Sequence, residues 1–145
     1  MVLVSACLTG KKCRYDGEGC FNRALMEKIE KKDMISVCPE YMARLPVPRT
    51  PAEISGGDGN DVLDGKARVY SKDGKDLTRE FIDGAEAALA LCLRHGVKEA
   101  FLKTQSPSCG VGTIYDGTFT GTLVDGTGVT AALLMRHGIG VTEVV

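Results

Sequence analysis

Four short apolar runs punctuate the chain: VLVSA at residues 2–6, MISV at 34–37, EAFLK at 99–103 and IGVTEV at 139–144. Their length and their Val, Ile and Phe content predict strands. The stretches between them carry helical spacing instead. FNRALMEKIEKK (21–32) sets Leu25 and Ile29 on one face behind Asn22 as N-cap. TREFIDGAEAALALCLRHG (78–96) repeats apolar residues from Phe81 to Leu93 and stops at Gly96, and TGVTAALLMRHG (127–138) stops at Gly138. His95 and His137 each precede a terminating glycine, where a cationic side chain suits the helix dipole, so both read as helix-end residues and not as ligands.

Strands alternating with helices predict an α/β fold, a mostly parallel Rossmann-like sheet flanked by helices. One segment interrupts the alternation: TIYDGTFTGTL (113–123), two β-rich runs around Asp116-Gly117, predicts a β-hairpin appended to the sheet. Residues 41–75 are the least regular, with a proline-stiffened start and then SGGDGND, and predict a long loop with one strand at ARVYS. Loops of that length in small proteins are often functional. The whole, residues 1–145, is expected to form one domain with a single core.

Charge narrows the possible partners. Charged residues make up 26% of the chain and almost cancel, leaving a net charge of −1. A surface that wraps a nucleic-acid duplex would be strongly basic, so the expected partner is a small molecule. No basic region precedes the first apolar run and no run is long enough to span a bilayer, so a cytoplasmic protein without a membrane partner is expected. In that compartment cysteines stay reduced. The six here, Cys7, Cys13, Cys20, Cys38, Cys92 and Cys109, therefore point to metal binding or catalysis before a disulfide framework.

Three of them stand out by position. Cys7 closes the first predicted strand, Cys38 directly follows the second, and Cys109 lies in TQSPSCG just after the third. In an open parallel sheet the loops at the carboxyl ends of the strands converge on one crevice, so these thiols would share an edge. Three thiolates from separate loops suit an iron-sulfur cluster or a zinc ion with one position left open. No CxxC pair is present, so neither a zinc-ribbon nor a closely spaced ferredoxin pattern applies. A thiol phosphatase is a third reading of CLTGKKCR, but the spacing from Cys7 to Arg14 is one residue too long to encircle a phosphate.

Further candidates cluster around these cysteines. Glu40, two residues after Cys38, is placed to act as general acid or base. Ser106 and Ser108 flank Pro107 and either position a substrate or cap a turn. Arg49, in PVPRTPAEI, either grips an anionic group or pairs with Glu53. Lys11, Lys12 and Arg14 either attract an anion or form a solvated loop surface. Cys92 reads as core, and Cys13 and Cys20 as spare thiols.

Taken in order, SACLTGKKCRYDG, VCPE, PRTPAEI, LKTQSPSCG and IYDGTFTG resemble the thiouracil desulfidase family, over residues 2 to about 140. The resemblance implies an oxygen-sensitive four-iron four-sulfur cluster held by Cys7, Cys38 and Cys109, with one iron free of protein ligands. It implies Glu40 and Ser106 as catalytic residues, with Ser108, Arg49 and Lys11 available to the substrate. The implied reaction is a non-redox replacement of the sulfur of a thiolated pyrimidine, thiouracil or thiouridine monophosphate, by oxygen, releasing hydrosulfide. A non-catalytic iron-sulfur or zinc module for sulfur transfer or redox sensing would use the same cysteines without needing Glu40 or Ser106. The chain departs from the family at YMARL (41–45), where bulky residues replace a glycine-rich turn and are expected to narrow or recharge the pocket.

Overall fold

The computed structural model describes residues 1–29 and 33–145. Four of its strands, β1 (Val2–Ser5), β2 (Met34–Val37), β5 (Glu99–Lys103) and β8 (Gly140–Val144), form the central sheet in the order β2-β1-β5-β8. Every pairing in it is parallel. The chain moves outward from β1 to β2, then returns to lay β5 on the other side of β1. Strand order thus reverses between β1 and β5, and a crevice opens at their carboxyl ends.

Alternation along the strands assigns the two faces. Leu3, Ala100 and Leu102 point into one core with Ala88 and Cys92 of α4 (Thr78–His95) and Ala131 and Leu134 of α5 (Val129–Arg136). Val4 points the other way, into a core with Leu8, Cys13 and Leu25, against which Phe101 packs. Helix α1 (Arg23–Lys28) covers that second face and is capped as expected, with the Asn22 side chain accepting from the Leu25 N–H at 2.9 Å. The last residues of the helix predicted there, 30–32, lie outside the described residues. Gly96 terminates α4 in the left-handed conformation at φ 66°.

The segment expected to be mostly loop is more structured. It holds α2 (Pro39–Met42), then β3 (Ala52–Ser55) paired antiparallel with β4 (Arg68–Ser71), and between those strands α3 (Gly59–Leu63). Asp58 caps α3 through a reciprocal capping box with Asp61. Ile54, Val62, Val69 and Phe81 close a third apolar cluster under this unit. The predicted hairpin forms as β6 (Thr113–Tyr115) and β7 (Leu123–Asp125), but Tyr115 pairs with Leu123, so residues 116–122 form a long connecting loop. It is a separate two-stranded ribbon and not an extension of the main sheet. No helix among the described residues is long and apolar enough to cross a membrane.

Candidate functional site

Each of the three cysteines leaves the sheet at the crevice. Cys7 sits in the 3-10 turn Ala6–Thr9 that follows β1, Cys38 is the N-cap position of α2 directly after β2, and Cys109 lies in the turn after β5. All three line one cavity of about 400 Å³. Cys13 lines it as well, and its carbonyl accepts from the Cys38 thiol at 3.8 Å. Cys13, read from the sequence as a spare thiol, lies in a loop without periodic pattern that would mark its place there. Cys20 and Cys92 stay outside the cavity, and all six cysteines are free thiols.

Two of these thiols, Cys38 and Cys109, are costly to ionise on their own. Hydrogen bonding with Cys13 and burial push the Cys38 thiol well above its ordinary value. Burial pushes Cys109 up to about 12, with the Ser5 hydroxyl pulling part of the way back. A bound cation reverses this balance by favouring thiolate over thiol. Yet among the described residues no three His, Cys, Asp or Glu side chains close on one metal ion. An all-sulfur donor set lining one cavity suits a polynuclear cluster of thiophilic metal.

Beside the thiols runs a polar chain. Arg49 and Glu40 form an ion pair with only 8% and 15% of their side chains exposed. The same guanidinium donates to the carbonyls of Cys13 at 3.3 Å and Pro46 at 3.1 Å. Glu40 Oε1 in turn accepts from the Ser106 hydroxyl at 3.3 Å. Ser106 Oγ receives the Ser108 and Cys109 N–H groups at 3.0 and 3.2 Å, so it caps the turn and addresses Glu40 at once. Four segments that carry Cys13, Pro46, Glu40 and Cys109 are thereby tied into one wall. Arg49 pairs with Glu40 and not with the nearby Glu53, because α2 brings Glu40 back over the proline loop.

Two residues expected to meet the substrate do not reach the cavity. Ser108 is 1% exposed and its hydroxyl bonds Thr130 at 2.9 Å. With Ser106 occupying the turn's N–H groups, the next serine side chain is turned beneath it toward α5. The Pro107 and Ser108 carbonyls accept from the Val129 and Thr130 N–H groups, satisfying the free first turn of α5 and bracing the Cys109 loop. Lys11 lies outside the cavity, with its ammonium 4.5 Å above the Tyr41 ring. The YMARL segment does not narrow the cavity as expected: Tyr41 is 54% exposed and Leu45 alone of the five lines it.

A family model for 2-thiouracil desulfurase matches residues 2–144. The chain belongs to that family. Among curated relatives of this desulfurase-family chain, the uncharacterised protein YbbK of Bacillus subtilis (strain 168) is 43% identical over 138 residues, covering 95% of this chain and 91% of YbbK. Among solved structures, the [4Fe-4S]-dependent thiouracil desulfidase TudS superposes with a TM-score of 0.85 at 43% identity, covering 98% of this chain and 89% of that one. The small α/β architecture with its parallel sheet is thus the fold of that enzyme.

Proposed function

We propose that this chain is a hydrolytic desulfidase that converts a thiolated pyrimidine, thiouracil or thiouridine monophosphate, to its oxo form and releases hydrosulfide. The observation that carries the reading is the meeting of Cys7, Cys38 and Cys109 on one cavity beside the Arg49–Glu40–Ser106 chain. The likeness to a [4Fe-4S]-dependent enzyme supports a four-iron four-sulfur cluster held by these three cysteines. When bound, such a cluster supplies a thiophilic Lewis acid, one iron free of protein ligands for the thiocarbonyl sulfur.

The chain's own residues supply the proton handling. Glu40 accepts a proton from the attacking water, whose oxygen bonds to the ring carbon as the carbon-sulfur bond breaks. Glu40 returns that proton to the departing sulfur, which leaves as hydrosulfide, the water's second proton passes to solvent as the carbonyl forms, and no electrons change hands. Arg49 fixes the Glu40 carboxylate by occupying Oε2 and leaves Oε1 facing Ser106. Ser106 holds that oxygen in register with the Cys109 turn, so acid-base group and cluster ligand move together. Six free cysteines suit a reducing cytoplasm.

Hydrosulfide release from thiouracil and from thiouridine monophosphate, followed with anaerobically reconstituted protein, tests this. Wild type turns over at least one of them, and Glu40→Gln loses on the order of a hundredfold or more in kcat with the cluster retained. Full activity of Glu40→Gln would defeat the assigned mechanism, and no turnover of either substrate by loaded protein would favour a non-catalytic cluster module.

A further inference from the structure

Three non-glycine residues among those described adopt a left-handed backbone, and two of them, Gln105 and Phe119, line the cavity. Phe119 belongs to the 116–122 loop between β6 and β7, and its φ is 58°. An unsupported loop would relax such a residue. Here the loop is clamped. Glu53 on β3 is 9% exposed, and its Oε1 accepts both the Gly117 N–H at 2.9 Å and the Phe119 N–H at 3.2 Å.

A second contact holds the same loop from the other side. Gly117 has φ 93°, and a Cβ there would stand 2.5 Å from the Ile54 carbonyl oxygen, so the loop backbone lies directly on β3. Within the loop, Asp116 accepts from the Thr118 N–H at 2.9 Å, and the Thr118, Thr120 and Thr122 hydroxyls form a ladder at 2.6 and 2.9 Å. All of this rigidity delivers one large side chain, the half-buried Phe119, to the cavity wall.

We propose that Phe119 is the stacking wall that receives the flat face of the substrate ring, and that Glu53 is the residue that positions it. The inference rests on the pyrimidine reading above, and it extends that reading from the reacting sulfur to the ring. Planar heteroaromatic rings gain from an aromatic face in a way that an aliphatic side chain of equal volume does not reproduce. Glu53 itself lines the cavity, but its positioning role rests on the one carboxylate oxygen that accepts the two N–H groups setting the Phe119 backbone.

The test measures uracil binding by calorimetry and KM for the thiolated substrate in the cluster-loaded protein. Phe119→Leu keeps the apolar bulk without the π face, and is expected to weaken uracil binding and raise KM roughly tenfold, more than it lowers kcat. Phe119→Tyr retains both parameters within about twofold, since it keeps the π face. Glu53→Ala reproduces the loss seen in Phe119→Leu, and Glu53→Gln, which still offers an acceptor to both N–H groups, restores most of it. Melting temperature and iron content, read alongside, identify any variant that fails to fold or load. Unchanged binding and KM in Phe119→Leu overturn the stacking wall, as does a Glu53→Ala protein that is folded, loaded and unaffected. Absent turnover in wild type with Phe119-dependent uracil binding would instead sink the desulfidase reading and leave this one standing.

Discussion

Gly84→Ala sets local propensity against packing at the point where the longest helix meets the site. Alanine is worth about 1 kcal/mol over glycine in a helix interior, so propensity alone predicts a more stable protein. Gly84, however, lies on the buried face of α4, and a Cβ there would stand 2.3 Å from the Pro39 carbonyl oxygen and 2.9 Å from its carbon. Backbone atoms cannot rotate aside, so α2 must retreat by about 1 Å to restore ordinary contact. Overpacking of this kind costs roughly 1–3 kcal/mol, which leaves a net loss of about 1 kcal/mol. Pro39 stands between Cys38 and Glu40, so the same retreat displaces the proposed cluster ligand and the proposed acid-base group together. A displacement of about 1 Å in a catalytic constellation is worth on the order of a hundredfold in rate. Urea unfolding read together with kcat/KM for thiouracil should therefore show modest destabilisation and a disproportionate loss of activity. A variant stabilised by about 1 kcal/mol with wild-type activity would refute the tight α4–α2 contact and the claim that Glu40 depends on its placement.

Two further perturbations probe the electrostatics. Arg49→Met leaves Glu40 without its counter-charge and is expected to cost about 2–3 kcal/mol in urea unfolding, less than a fully enclosed pair would; Arg49→Met combined with Glu40→Gln recovers much of that loss in a double-mutant cycle. Asp76 is held down at about 2 by hydrogen bonds from Thr78 and Arg68. Its folded-state pKa lies below the unfolded value of 3.8, so its contribution is present above pH 3.8 and lost as pH falls through 2. Stability measured by urea titration between pH 4 and 2 should fall less steeply in Asp76→Asn than in wild type, and equal slopes would contradict the assignment.

The central sheet was legible because its strands are short runs rich in Val, Ile and Phe separated by helical patterns, although only β1 is nearly continuous in burial and β8 is largely exposed. Cys7 and Cys38 were legible because each comes at the end of such a run, and Cys109 because it lies in the short loop beyond the third. Residues 41–75 hid their structure for definite reasons. Strand β3 reads AEIS, with a charged residue at a buried position, and only the distant loop that Glu53 holds makes that tolerable. Helix α3 has five residues, too few to show a period, and declares itself through the Asp58–Asp61 capping box. The Asp116-Gly117 pair looks like a tight turn, but Gly117 lies against the Ile54 carbonyl, and the paired ends Tyr115 and Leu123 are joined by the loop 116–122.

Side-chain roles divided in the same way. Ser106 and Ser108 are equivalent in sequence, and only the turn geometry sends one to Glu40 and the other to Thr130. Arg49 has an acidic residue four positions away, yet the contact is made with Glu40 across the proline loop. Cys13 carries no local signal at all, since its place in the cavity depends on how the loop after β1 folds back over Cys38.

Iron and acid-labile sulfide per chain, measured after anaerobic reconstitution of wild type and single-cysteine variants, decide whether the cavity holds a cluster on Cys7, Cys38 and Cys109. Brown wild-type protein with about four irons is expected, with retention in Cys20→Ser and loss of the stable cluster in Cys7→Ala, Cys38→Ala and Cys109→Ala. Colourless, iron-free wild type, or undiminished iron in all three of those variants, would contradict it.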